Sequence, residues 1–209
     1  MKIEVICAAL SLAACGLLGS DMPRYDEPRG DLPGNVRQVC GGSAIWGRPL
    51  PAIREGACGI RNPVEIYQVA GVALPRGATV DCDTAASLAE WIAFGAQPAA
   101  KAAGKEPLVE MEVAASYACR SRNNQSGAKM SEHALGNAID LSAFTFADGE
   151  TVRVEEDWRG GLFRKSVIKR FHEAACGPFG TVLGPDADRF HRDHLHFDTA
   201  RYPNGTYCR

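Results

Sequence analysis

The chain has 209 residues, 23 of them basic and 25 acidic, for a formal net charge of −2. That length suffices for one domain with its own core. The near-neutral balance, with no basic stripe, excludes nucleic acid as a partner. Glycine (22) and proline (12) are frequent, which predicts many turns and irregular connections.

The amino terminus reads as a targeting segment. Lys2 gives a charged start, and residues 5–14 are apolar but too short to span a bilayer. The run closes on Leu12-Ala13-Ala14-Cys15-Gly16. This resembles a bacterial lipoprotein signal, in which the cysteine becomes a lipidated N-terminus; an ordinary secretory signal is the alternative. The resemblance implies a periplasmic, lipid-anchored protein, with Gly16 favouring the outer membrane. Residues 1–15 are then signal with Cys15 as the lipidation site. Residues 16–35, rich in proline, glycine and charge, form a flexible tether, and 36–209 are one domain. A monomer is expected.

Export fits the cysteine count. With Cys7 lost in the signal and Cys15 lipidated, Cys40, Cys58, Cys82, Cys119, Cys176 and Cys208 remain, an even set that predicts three disulfides. Pairing by proximity gives Cys40–Cys58, Cys82–Cys119 and Cys176–Cys208. Thiolate metal ligation is disfavoured because the chain has no Cys-x-x-Cys pair.

Residues 36–76 are punctuated by Gly and Pro and predict short strands and loops. Asp83 is a plausible N-cap for a helix whose stripe of Leu88, Trp91 and Ile92 faces a core, ending near Gly95 before Pro98. Residues 108–117 alternate, with Val109, Met111, Val113, Ala115 and Tyr117 on one face, and predict a strand. Arg120 follows it, either as a clamp for a substrate carboxylate or carbonyl or as one half of a surface ion pair. Residues 137–146 predict a second strand, Asp148-Gly149 a hairpin turn, and 151–154 the returning strand. Residues 164–176 form an amphipathic helix with Val167, Ile168, Phe171 and Ala175 inward, on which His172 is structural. Short strands at 179–183 and 194–199 flank a loop at 184–188.

Two stretches carry the chemistry: Ser131-Glu132-His133-Ala134-Leu135-Gly136-Asn137-Ala138-Ile139-Asp140, and His191-Arg192-Asp193-His194-Leu195-His196. On a strand, Asp140 points away from Ile139 and Leu141, and His194 and His196 share a face. His133, Asp140 and His196 would offer zinc two imidazoles and one carboxylate, leaving a position for water. A single anionic ligand keeps the site net positive, which lowers the pKa of that water. Either spacing alone is common; together they point to Zn²⁺.

The chain is similar to the zinc peptidases grouped with lysostaphin, D-Ala-D-Ala carboxypeptidases and hedgehog. It more closely resembles the bacterial extensin-like protein C-terminal family. The shared residues are Ser116-Tyr117-x-Cys119-Arg120, Ser131-Glu132-His133-Ala134-x-Gly136-Asn137-Ala138-x-Asp140, Asp148-Gly149, Trp158, Leu183-Gly184-Pro185 and His191-x-Asp193-His194-x-His196-x-Asp198. The resemblance implies an α+β fold, a small antiparallel sheet flanked by helices, with disulfides. It implies a zinc peptidase cutting peptidoglycan cross-links or stem peptides. His133, Asp140 and His196 become the ligands, Asp193 the general base, His194 an alternative base or oxyanion donor, and Arg120 a substrate clamp. A non-catalytic wall-binding protein with a structural zinc is a competing expectation, and a small-molecule hydrolase is a third.

Overall fold

The computed structural model describes residues 28, 30–160 and 162–209. The signal, Cys15 and residues 16–27 and 29 of the tether lie outside the described residues. Among the described residues no helix is long and apolar enough to cross a membrane.

In chain order the strands are β1 (Arg37–Gln38), β2 (Ile45–Pro49), β3 (Ile53–Glu55), β4 (Cys58–Ile60), β5 (Val64–Val69) and β6 (Val72–Val80). Helices α1 (Cys82–Trp91) and α2 (Gln97–Ala102) follow, then β7 (Leu108–Ala115), β8 (Ala138–Phe146) and β9 (Thr151–Arg153). The rest is α3 (Val154–Asp157), α4 (Leu162–Ala175), β10 (Thr181–Leu183), β11 (Leu195–Asp198) and β12 (Tyr207–Cys208). One ten-stranded sheet runs β1-β2-β5-β6-β7-β8-β11-β10-β12, with β9 paired to β8; β3 and β4 form a separate hairpin. The α+β class stands. The sheet is larger than expected and mixed, because β6·β7 and β10·β12 are parallel.

The core lies between the sheet and the helices. The predicted stripe places Trp91 at its centre, edge-on to Phe197 at 5.1 Å, Phe171 at 6.0 Å and Phe144 at 6.4 Å. The Trp91 indole N–H donates to the Phe171 carbonyl at 3.1 Å, so its one polar atom is satisfied in the dry interior. Because side chains alternate along a strand, burying Leu195 and Phe197 against this core turns His196 and Asp198 to the opposite face.

Three expectations are corrected. Asp81, rather than Asp83, caps α1, accepting from the Thr84 N–H at 2.8 Å; Asp83 sits in the first turn, where its charge complements the helix dipole. The helix does not stop at Gly95. It widens into a π-type turn over Ile92–Ala96 and continues as α2, with Pro98 placed directly after the widened turn. A Cβ at Gly95 would press on Ala174 and Trp91 at 3.1 Å, so close approach of α4 fixes the glycine here. Val154, expected in a strand, opens α3.

The disulfide expectation is also corrected. The pairs are Cys40–Cys82, Cys58–Cys119 and Cys176–Cys208; only the last matches the proximity guess. Sheet order decides the other two. Cys40 leads into β2, which lies two strands from β6, and the end of β6 delivers Cys82. The β3–β4 hairpin meanwhile lies over the segment leaving β7: Tyr117 donates to Glu55 at 3.2 Å, which brings Cys58 to Cys119.

Candidate metal centre

β8 and β11 are antiparallel neighbours, and their register sets His196 directly opposite Asp140. Cross-strand partners share a face, so both side chains emerge together on the side away from the helices. His196 Nδ1 is 2.8 Å from Asp140 Oδ1.

His133 reaches the same point from a short 3-10 turn, Glu132–Leu135. Gly136 ends that turn in the left-handed region, φ 76°. Its carbonyl accepts from the Asp81 N–H at 3.0 Å and the Thr84 hydroxyl at 3.3 Å, which ties the turn to the start of α1. A side chain there would adopt a disfavoured φ and run into Ile60, so glycine is required. His133 Nδ1 donates to the Ser116 carbonyl at 2.6 Å, since a carbonyl can only accept. That bond fixes the tautomer and turns Nε2 inward, 3.2 Å from Asp140 Oδ2 and 3.2 Å from His196 Nδ1.

The expected ligand set therefore converges. One donor atom each from His133, Asp140 and His196 lies within 4.8 Å of the others, and all three residues are buried. Two imidazole nitrogens and one carboxylate, without a neutralising surplus of acids, match the donor set of a catalytic zinc site. His196 Nε2 donates to Asp198 Oδ2 at 3.1 Å, the carboxylate support that orients a ligating imidazole. The residues present fit the ion.

The electrostatics agree. Burial pushes the Asp140 carboxyl up, but hydrogen bonds from His133 and His196 and their charges outweigh it and hold the group far below the usual carboxylate range. Burial disfavours protonated His196, yet Asp140 and Asp198 raise its pKa to about 9. A cation at Nδ1 must displace that proton. Affinity for a divalent cation at this group should therefore rise about tenfold per pH unit and flatten near pH 9, as competition with one proton requires. A chelator competition series from pH 6 to 9.5 checks this; a flat profile contradicts it.

His194 and Asp193 are both at the site but face differently. His194 Nδ1 donates to Asp193 Oδ1 at 2.7 Å, and its Nε2 lies 3.6 Å from Asp140 Oδ2. The Asp193 side chain is 65 % exposed and is not among the residues that line the cleft. Arg120 lines the cleft above the cluster, beside Arg122, whose guanidinium is held by Glu132 at 3.2 Å.

Sequence reasoning assigned no role to three residues here. His191 is buried, lies 5.3 Å from His194 and 5.6 Å from His196 between ring centroids, and its Nδ1 donates to Asp188 at 2.8 Å. Burial lowers its pKa, partly offset by Asp188. The Asp188-x-x-His191 spacing was a usable signal. So was the continued alternation His194-x-His196-x-Asp198, which puts Asp198 on the ligand face. His172, by contrast, is structural as expected: its Nε2 donates to the Arg209 carbonyl at 2.9 Å, away from the cluster.

The cleft occupies about 520 Å³ and is floored by the three clustered residues. A mixed sheet carrying a buried His/Asp/His group at the foot of an open cleft defines a protein with a candidate metal centre. A family model described as extensin-like protein C-terminus matches residues 39–209, and the chain belongs to that family. No curated protein and no solved structure matches it.

Proposed function

We propose that this chain is an exported zinc peptidase that hydrolyses peptide bonds of peptidoglycan, in a cross-link or a stem peptide. What carries the reading is the buried convergence of His133 Nε2, Asp140 and His196 Nδ1 at the floor of an open cleft. Support for the substrate is the resemblance of the two motifs to zinc peptidases of bacterial cell walls. Support for export is the amino-terminal signal ending at Cys15, which would anchor the protein by lipid in the periplasm.

Bound zinc would supply Lewis acidity and a water acidic enough to ionise near neutral pH. His194 handles the proton: Asp193 accepts its Nδ1–H, leaving Nε2 to take the proton from the attacking water and return it to the leaving amine. Asp193, named as base by resemblance, then acts as the group that orients His194. Asp198 keeps the His196 ring turned. Arg120 holds a substrate carboxylate or carbonyl against the cleft wall.

His194→Ala should lower turnover by at least about 10²-fold, the scale of a lost general base, with zinc content unchanged. Asp193→Asn should cost less, because the amide oxygen can still accept the Nδ1–H and the ring stays in place. Digestion of purified muropeptides, read by chromatography beside zinc analysis, tests both. Turnover that survives His194→Ala but vanishes in Asp193→Asn would return the base to Asp193. Absence of any cleavage by zinc-loaded wild-type protein would refute the peptidase reading.

A further inference from the structure

The lining of the cleft is unusual. Ligand sites are mostly apolar, but Leu183 is the one aliphatic side chain among the residues lining this cleft. The remaining apolar surface is aromatic. Phe190, Tyr202 and Tyr207 line it and are 37 %, 40 % and 49 % exposed, three of the five exposed large apolar side chains among the described residues. Exposed rings gathered at one place mark a binding surface.

The backbone that carries these rings is braced. Tyr207 lies in β12, where its N–H donates to the Gly180 carbonyl at 2.8 Å, and the adjacent Cys208 is bonded to Cys176. The Tyr202 hydroxyl accepts from the Thr181 hydroxyl at 3.3 Å. Phe190 follows Asp188, whose carboxylate accepts the Phe190 N–H at 2.7 Å. Platforms fixed before binding lose little entropy on binding.

The pattern selects a ligand class. A peptide held by strand addition needs a free strand edge of some length, but β11 lies between β8 and β10, β10 is covered by β12, and the end strand β12 is only two residues long. A peptide held by its side chains needs aliphatic pockets, and the lining has almost none. A pyranose ring needs what is present: aromatic faces for its C–H face, and amide or guanidinium groups for its equatorial hydroxyl and acetamido groups. Asn123, Asn124 and Arg122 also line the cleft.

We propose that the Phe190–Tyr202–Tyr207 rim is a saccharide subsite that takes an N-acetylated amino sugar, so that the substrate is a glycan-borne peptide rather than a free one. The choice of sugar rests on the peptidoglycan reading; the subsite itself rests on the lining.

The test is calorimetric titration of the full-length, zinc-loaded chain with the tetramer of N-acetylglucosamine. Saturable binding is expected in the wild type and in Tyr207→Phe, which keeps the ring. Tyr207→Ala should weaken it about tenfold or more, equivalent to one lost stacking face. Tyr207 is half exposed, so its truncation spares the fold. No saturable binding in the wild type, or equal binding by Tyr207→Ala, overturns the proposal. Muropeptide digestion run in parallel separates the two readings. Sugar binding without cleavage counts against the peptidase alone, and cleavage without sugar binding counts against the subsite alone.

Discussion

Asp140→Asn should abolish hydrolysis while leaving the domain folded. The carboxylate is buried between the two histidines, 2.8 Å from His196 Nδ1 and 3.2 Å from His133 Nε2. Its replacement by an isosteric amide removes the site's one anionic ligand without altering its shape. Loss of zinc should lower turnover by about 10³-fold or more, which corresponds to about 4 kcal/mol of transition-state stabilisation. Removing one member of a buried ion pair is usually costly because the other is left charged. Here His196 loses one of the two carboxylates that favour its protonated form, and its Nε2–H keeps Asp198 as a partner, so no charge is left without a partner. Zinc analysis, muropeptide digestion and circular dichroism of the variant check the three parts. Wild-type turnover in Asp140→Asn would remove Asp140 from the ligand set.

The second large effect is on stability. The double variant Cys58→Ser/Cys119→Ser opens the crosslink with the longest separation, 61 residues. Loop-closure entropy alone assigns such a bond about 4 kcal/mol, a large share of the ~5–15 kcal/mol that a domain has. The loss should also reach the site. The bond pins the β3–β4 hairpin beside Cys119, next to Arg120, and Ile60 of that hairpin is the residue a Cβ at Gly136 would strike, below the His133 turn. Urea unfolding should show a lower midpoint, with zinc affinity falling alongside. An unchanged midpoint would show that the β3–β4 hairpin is held without the crosslink.

The facing of Asp140 and His196 was legible in the chain because it depends on local periodicity. Asp140 alternates with Ile139 and Leu141 on β8, and His196 with Leu195 and Phe197 on β11, so parity alone turned each away from its own strand's apolar side. What parity cannot supply is which strands are neighbours. The β8·β11 pairing joins segments separated by 56 positions, and the same kind of long-range adjacency set two disulfides against proximity. The helix end was misjudged for a related reason. Gly95 and Pro98 are breakers in isolation, but the approach of α4 favours glycine there and a widened turn accommodates the proline. His191 stood in the second stretch without a role because its place follows from a loop fixed by Asp188, which strand alternation does not encode. The size of the sheet was missed because β6·β7 pairs in parallel across the α1–α2 connection, which no hairpin signal announces.

The most direct test of the account is the zinc stoichiometry of the purified protein beside its His133→Ala and His196→Ala variants. The account predicts one zinc per chain in the wild type and loss of that zinc in both variants, because each removes one of three buried donors that face a common point. Folded wild-type protein that takes up no zinc, even with the metal supplied, would contradict it and leave the histidines as parts of a binding surface.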